Sequence, residues 1–182
     1  MFDRTDYLPA VRPGGSLADG LLVRWFDFAG SCCADIDEAP LKENFICDRI
    51  AIPEDVVGNI GLVFEGYVKV PEDGIYSFYT YSDDGSTLAI DGRTTVDNDG
   101  LHPRRERSGQ VALRRGLHTF SLRYFDSNGG ILEALRASGN PSPRTCSSID
   151  VRRTRAWAGP RPAATAEKRV RHLTVSDSFF VG

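Results

Sequence analysis

No run in the 182-residue chain approaches the roughly 20 apolar residues that a bilayer-crossing helix needs. Membrane insertion is therefore not expected. The opening Met-Phe-Asp-Arg-Thr-Asp lacks both the basic and the apolar region of a secretory signal. That leaves either a protein kept inside the cell or a piece of a longer exported chain. An excess of positive charge is also missing, since the formal net charge is −3, so nothing electrostatic points to nucleic acid as a partner. There is no GxSxG, no paired-histidine metal motif and no phosphate-binding glycine loop, which argues against an enzyme. The four cysteines (Cys32, Cys33, Cys47 and Cys146) show no CxxC spacing, and adjacent cysteines make a poor bridge with each other. Cys33 and Cys47 would close a short loop under oxidising conditions. Small buried thiols in a reducing compartment fit the same positions equally well. Finally, no segment keeps a helical period of 3.6 over ten or more residues.

What the chain does have is turns and short apolar runs, with 18 glycines and 10 prolines in a composition that is 41% hydrophobic. Leu21 to Phe26 reads as a first strand. Leu62, Phe64, Gly66, Val68 and Val70 alternate with Val63, Glu65, Tyr67 and Lys69, the period-two pattern of a strand. Pro71-Glu72-Asp73-Gly74 is a β-turn signal, and the alternating, aromatic run Ile75 to Tyr81 is its hairpin partner. Thr87 to Ile90, Thr94 to Val96, Gln110 to Leu113, His118 to Phe125 and Ile131 to Arg136 continue the series, with Asp91-Gly92 as a further hairpin turn. Strands at this spacing predict an all-β fold, an antiparallel β-sandwich or barrel.

The flanks read differently. Residues 1–20 look like a loose lead-in, 21–137 the β-domain, and 138–182 a tail. Residues 29–58 look irregular, an unusual length for a loop unless it is functional or tied down. Between 151 and 182, seven arginines and lysines stand against two acids. Proline and alanine spacing without interleaved aromatics suggests a solvated linker, with residues 173–181 able to return as a last strand.

Three polar turns interrupt the apolar centre: Asp83-Asp84, Asp97-Asn98-Asp99 and Asp126-Ser127-Asn128. Adjacent carboxylates repel, so water, amides, an arginine or a cation must compensate. Calcium suits oxygen-only donors, and glycines beside the turns allow close backbone approach. Asp and Asn are also simply good turn residues. In that case replacing Asp84 by Asn would only relieve repulsion.

The segments Phe64 to Phe78 and Ser82-Asp83-Asp84-Gly85-Ser86-Thr87-Leu88-Ala89-Ile90-Asp91-Gly92 closely resemble the core signature of PA14 domains. Val96 to His102, Gly116-Leu117-His118 and Arg123-Tyr124-Phe125 follow in the family's order, so the resemblance spans about residues 20–137. Ala89 departs from it, where a larger residue is common. PA14 domains occur in glycosidases, yeast flocculins, other adhesins and bacterial surface proteins. In the lectin members, two aspartates joined by a cis peptide bind calcium, and the ion takes neighbouring hydroxyls of a terminal sugar. The resemblance therefore implies calcium at Asp83 and Asp84. A second loop at Asp126–Gly130 would add Asn128 and the backbone at Gly129, with Asp126 and the rim residue His102 near the ligand. Tyr81 and Phe125 are candidates to stack on the sugar, although core positions suit both better. The implied function is a calcium-dependent carbohydrate-binding module, outside the cell or at its surface. The alternatives are a structural or protein-interaction domain without an ion, or an accessory domain of a glycoside hydrolase.

Overall fold

The computed structural model describes residues 7–127, 131–139 and 151–154, which form two antiparallel sheets facing each other. The strands are β1 (Leu17–Asp19), β2 (Leu21–Asp27), β3 (Leu41–Cys47), β4 (Ile60–Val70), β5 (Gly74–Asp83), β6 (Ser86–Ile90), β7 (Arg93–Asn98), β8 (Arg105–Leu113), β9 (Gly116–Asp126), β10 (Ile131–Gly139) and β11 (Val151–Thr154). A short 3-10 helix at Cys33–Glu38 is the one helical element among them. The larger sheet runs β1-β11-β4-β9-β6-β7, with β2 also on β4 and β3 on β2. The smaller sheet runs β10-β5-β8.

The period-two pattern explains where each face goes. β4 and β9 pair along their full length, from Ile60 opposite Asp126 to Val70 opposite Gly116. Their inward residues, among them Leu62, Phe64, Leu122 and Tyr124, pack with Phe78, Leu113 and Leu132 of the smaller sheet. Apolar area removed from water is the main stabilising term in such a core. The outward residues Val63 and Phe125 are buried as well, because Phe26, Phe28, Cys33 and Ile36 cover them in a second cluster. Phe28 meets Phe125 edge-on, with centroids 5.6 Å apart. The 3-10 helix is fastened over this cluster by Asp37, which pairs with Arg24 at 2.9 Å and with Arg123. Arg123 also donates to the carbonyl oxygen of Cys33 at 3.1 Å.

Several features of the flanks differ from the expectation. Residues 29–58 are not uniformly irregular: they contain the 3-10 helix and the edge strand β3, paired to β2 from Leu21 opposite Cys47. The lead-in is not loose from Tyr7 onward. The backbone N–H of Leu8 donates to Ala112 and that of Val11 to Leu117, and β1 pairs with β11. β11 itself lies inside the supposed linker, bonded to Val68 and Tyr67 of β4, so at least this part of the tail is sheet. Residues 155–182, including the proposed return strand, lie outside the described residues. Cys32, Cys33 and Cys47 are free thiols and form no Cys33–Cys47 bridge, while Cys146 lies outside the described residues.

One buried polar contact fixes the β6–β7 turn. Asp91 takes positive φ of 48° and places its carboxylate 2.6 Å from Nδ1 of the fully buried His118. Its other oxygen accepts the backbone N–H of Thr119 at 2.8 Å. The second ring nitrogen of His118 lies 2.8 Å from the carbonyl oxygen of Arg114, so the imidazole is satisfied on both sides.

Candidate functional site

The strands deliver three loops to one end of the sandwich: β5–β6, β7–β8 and the loop leaving β9. At the first, Asp83 and Asp84 are joined by a cis peptide, the arrangement the resemblance implied. Both aspartates are half-buried. Oδ1 of Asp84 accepts the backbone N–H of His102 at 3.2 Å, and Oδ2 accepts that of Ser127 at 3.3 Å. One carboxylate thus ties both neighbouring loops to the β5–β6 turn. The hydroxyl of Tyr124 donates to the carbonyl oxygen of Asp83 at 2.8 Å. Burial first, and then the carboxylates of Asp126, Asp83 and Asp84, push the Tyr124 phenol far above its ordinary range and keep it a donor. Three acids therefore act on one hydroxyl, with Asp126 itself buried at the end of β9.

The charge of Asp84 is met by backbone N–H groups. Among the described residues no Arg, Lys or His side chain forms an ion pair with Asp83 or Asp84. Half-exposed carboxylate oxygens without a cationic partner suit a hard cation such as calcium. The set is incomplete within the described residues, because no three His, Cys, Asp or Glu side chains there are placed to hold a metal. Asn128 and Gly129, the expected second-loop donors, lie outside the described residues.

The β7–β8 loop forms a rigid wall. Its base is a buried polar cluster, in which Oγ of Ser82 and Ser86 lie 2.8 Å apart and Nδ2 of Asn98 donates to Ser82 at 3.0 Å. Nε of Arg105 donates to Oδ1 of Asn98 at 2.7 Å, and its Nη2 to the carbonyl oxygen of Asp99 at 3.2 Å. Asp99 in turn gathers donors from another part of the chain. Its Oδ1 accepts the N–H groups of Cys33 at 2.9 Å and Gly100 at 2.8 Å, and its Oδ2 accepts the Cys32 thiol at 3.1 Å. Burial alone would raise the Asp99 carboxyl, but the bonds from Cys32, Cys33 and Gly100 outweigh it and hold the carboxyl below its usual range. The same hydrogen bond to Asp99, more than burial, raises the Cys32 thiol.

Gly85 lets these loops close. A Cβ there would meet the Phe125 ring and come within 2.9 Å of Gly100 N and O. The N–H of Phe125 also donates to the Gly85 carbonyl oxygen at 3.0 Å.

The sequence candidates thus fall into distinct places. Asp83, Asp84, Asp126 and His102 are brought to the same end. His102 reaches Asp84 through its backbone, while its ring nitrogens each lie 2.9 Å from a carbonyl oxygen, of Asn98 and of Pro103. Phe125 is fully buried and cannot stack on a ligand. Tyr81 is half-buried, two residues before Asp83 on the same strand face. Sequence reasoning marked Asp97-Asn98-Asp99 as a polar turn but missed its bracing role, its link to the Cys32-Cys33 pair and the part played by Arg105.

The fold is shared with several solved structures. The PA14 domain of the MpAFP antifreeze protein is similar over 79% of this chain and 95% of its own, at 16% identity and a TM-score of 0.62. A PA14 sugar-binding domain from an RTX adhesin is similar over 73% of this chain and 94% of its own, at 17% identity and a TM-score of 0.55. The A domain of epithelial adhesin 6 from Candida glabrata, solved with Galβ1-3GlcNAc, matches 71% of this chain and 83% of its own, at 10% identity and a TM-score of 0.54. No curated protein sequence matches the chain. The family model described as PA14 domain matches residues 17–147, beyond both ends of the segment whose motifs carry the resemblance, and the chain belongs to the PA14 domain family.

Proposed function

We propose that this chain is a carbohydrate-binding module that holds a terminal sugar through a calcium ion at Asp83 and Asp84. The observation that carries the reading is the half-exposed acid pair with no cationic side chain paired to it among the described residues. Two structural neighbours that are themselves sugar-binding or sugar-bound, the RTX adhesin domain and the Candida adhesin domain, support it. Calcium would supply a Lewis-acidic centre that exchanges water for two vicinal sugar hydroxyls. The chain's own residues supply the frame. Asp83 and Asp84 anchor the ion, and Asp84 also fixes the backbone of His102 and Ser127. Asp126 ends β9 at this loop, and Asn128 and Gly129 would be its further donors to the ion. The reading is one of binding, without catalysis.

The setting is a longer chain exposed outside the cell. A similar fold occurs within the β-glucosidase of Kluyveromyces marxianus, where the similarity covers 16% of that chain, so an accessory role beside a hydrolase is the alternative setting. A purely structural role has one observation in its favour, the tie that Asp84 makes to two backbone N–H groups without needing an ion. Glycan-array binding in calcium and in chelator separates the readings. The module reading requires glycan binding that chelator abolishes, whereas a blank array in both conditions overturns it.

A further inference from the structure

We infer that Leu101 is a specificity-determining contact of this site, its aliphatic side chain covering the apolar C–H face of a pyranose. The inference rests on the carbohydrate-binding reading above. Three large apolar residues are exposed among the described residues, Leu41, Val57 and Leu101, and Leu101 is 63% exposed. Its position is fixed from both sides. Gly100 packs against Gly85, and the N–H of His102 is bonded to the Asp84 carboxylate. The segment behind it is braced by Asp99 and Arg105, which fixes the backbone that carries the leucine. The result is an apolar group held out to solvent one residue from a backbone contact to the acid pair.

Pyranose chemistry matches that combination. A sugar is polar at its hydroxyl-bearing edge and apolar where axial C–H bonds cluster. A small-ligand site pairs a few fixed polar groups with apolar walls for this reason. Hydroxyls drawn toward Asp83 and Asp84 leave the ring carbons to the loop walls, and on the β7–β8 wall the exposed large hydrophobic side chain is Leu101. Which C–H bonds face it depends on the configuration of the sugar, so this side chain ranks sugars that share the same pair of vicinal hydroxyls.

The test measures affinity for methyl glycosides of fucose, mannose, galactose and glucose, in millimolar calcium and in chelator. The proteins are wild type, Leu101→Ser, Leu101→Met and, as a control on the edge strand β3, Leu41→Ser. Terbium luminescence reports the ion site separately, and thermal unfolding reports the fold. The expected result is about tenfold weaker binding of the best glycoside by Leu101→Ser, the loss that follows from removing a modest apolar contact. Terbium binding and Tm should be unchanged, Leu101→Met should stay near wild type, and the four glycosides should lose their ranking in Leu101→Ser. Wild-type affinity and ranking in Leu101→Ser would overturn the inference while leaving the module reading intact. Wild type that takes terbium but no glycoside would overturn both. Chelator-resistant glycoside binding that Leu101→Ser still weakens would remove calcium from the reading and uphold Leu101.

Discussion

The carboxylate of Asp84 accepts the backbone N–H of His102, 18 positions further along the chain, at 3.2 Å. Its other oxygen holds Ser127, 43 positions away. Charge and loop geometry therefore reside in the same group, and a test of the ion must separate them. Asp84→Asn turns one acceptor oxygen into an NH2 facing a backbone N–H. It should lose about 1–2 kcal/mol in chelator, the cost of an unmade bond to a half-buried group. Asp83→Asn removes a like charge beside Asp84 and should be neutral or slightly stabilising in chelator. In calcium at about 100 times its dissociation constant, wild type should gain roughly 2.7 kcal/mol and both variants should lose that increment. Denaturant unfolding measures all six values. An increment retained by Asp83→Asn places the ion elsewhere.

Asp99 gives the site wall an acid limit. Its carboxyl is held below the usual range by the Cys32, Cys33 and Gly100 donors, against the opposing effect of burial. Its contribution is complete above the unfolded value of about 3.9 and is lost as pH falls through the lower folded value. Asp99→Asn should cost about 1–2 kcal/mol at neutral pH. The gap from wild type should hold down to about pH 4 and close below it. A gap that widens on acidification contradicts these hydrogen bonds.

Gly85→Ala should be among the more damaging small substitutions at this end of the sandwich. The new methyl meets the Phe125 ring and lies 2.9 Å from both Gly100 N and O, and backbone does not yield as a side-chain tip does. The expected loss is about 1–3 kcal/mol, with glycan binding reduced because the β5–β6 and β7–β8 loops are forced apart. An unchanged denaturation midpoint with full glycan binding would show that the loops do not meet there.

The three described thiols should be slow to alkylate. Burial pushes Cys47 up to about 12 and Cys33 higher still, and the bond to Asp99 raises Cys32. Since the thiolate is the reactive form, iodoacetamide at pH 8 should label these sites well below the rate of an unfolded control. Peptide mapping after labelling distinguishes them from Cys146. Rapid modification of Cys32 in the folded protein would show that its hydrogen to Asp99 is not held.

The centre of the fold was legible because alternation and turn chemistry are local. Leu62 to Val70 names both the strand and its two faces, and Asp91-Gly92 names the hairpin. β3 was missed because it is an edge strand whose Leu41 is exposed while Phe45 and Cys47 are buried, which blurs its pattern. β11 was missed because its arginines mimic a solvated tail. At the site, the resemblance located Asp83 and Asp84, and the structure joins them as that resemblance implied. The two backbone bonds of Asp84 were not visible, and they reverse the effect expected of Asp84→Asn in chelator from mild relief to a loss. No local pattern could find the wall, because Cys32 and Asp99 are 67 residues apart.

Such separations also set an order of assembly. On the edge facing away from β2, Ile60 finds its partner only at Asp126, so during synthesis β4 waits with two apolar faces and that edge open until β9 has left the ribosome. The 3-10 helix can cover the outer face of β4 early, but its grip on Arg123 and Asp99 comes later. Non-local pairing of this kind gives folding times of about milliseconds to seconds. A nascent or truncated chain lacking Ser127 consequently has the acid pair and the β7–β8 loop but only one of the two backbone ties that fix the Asp84 carboxylate.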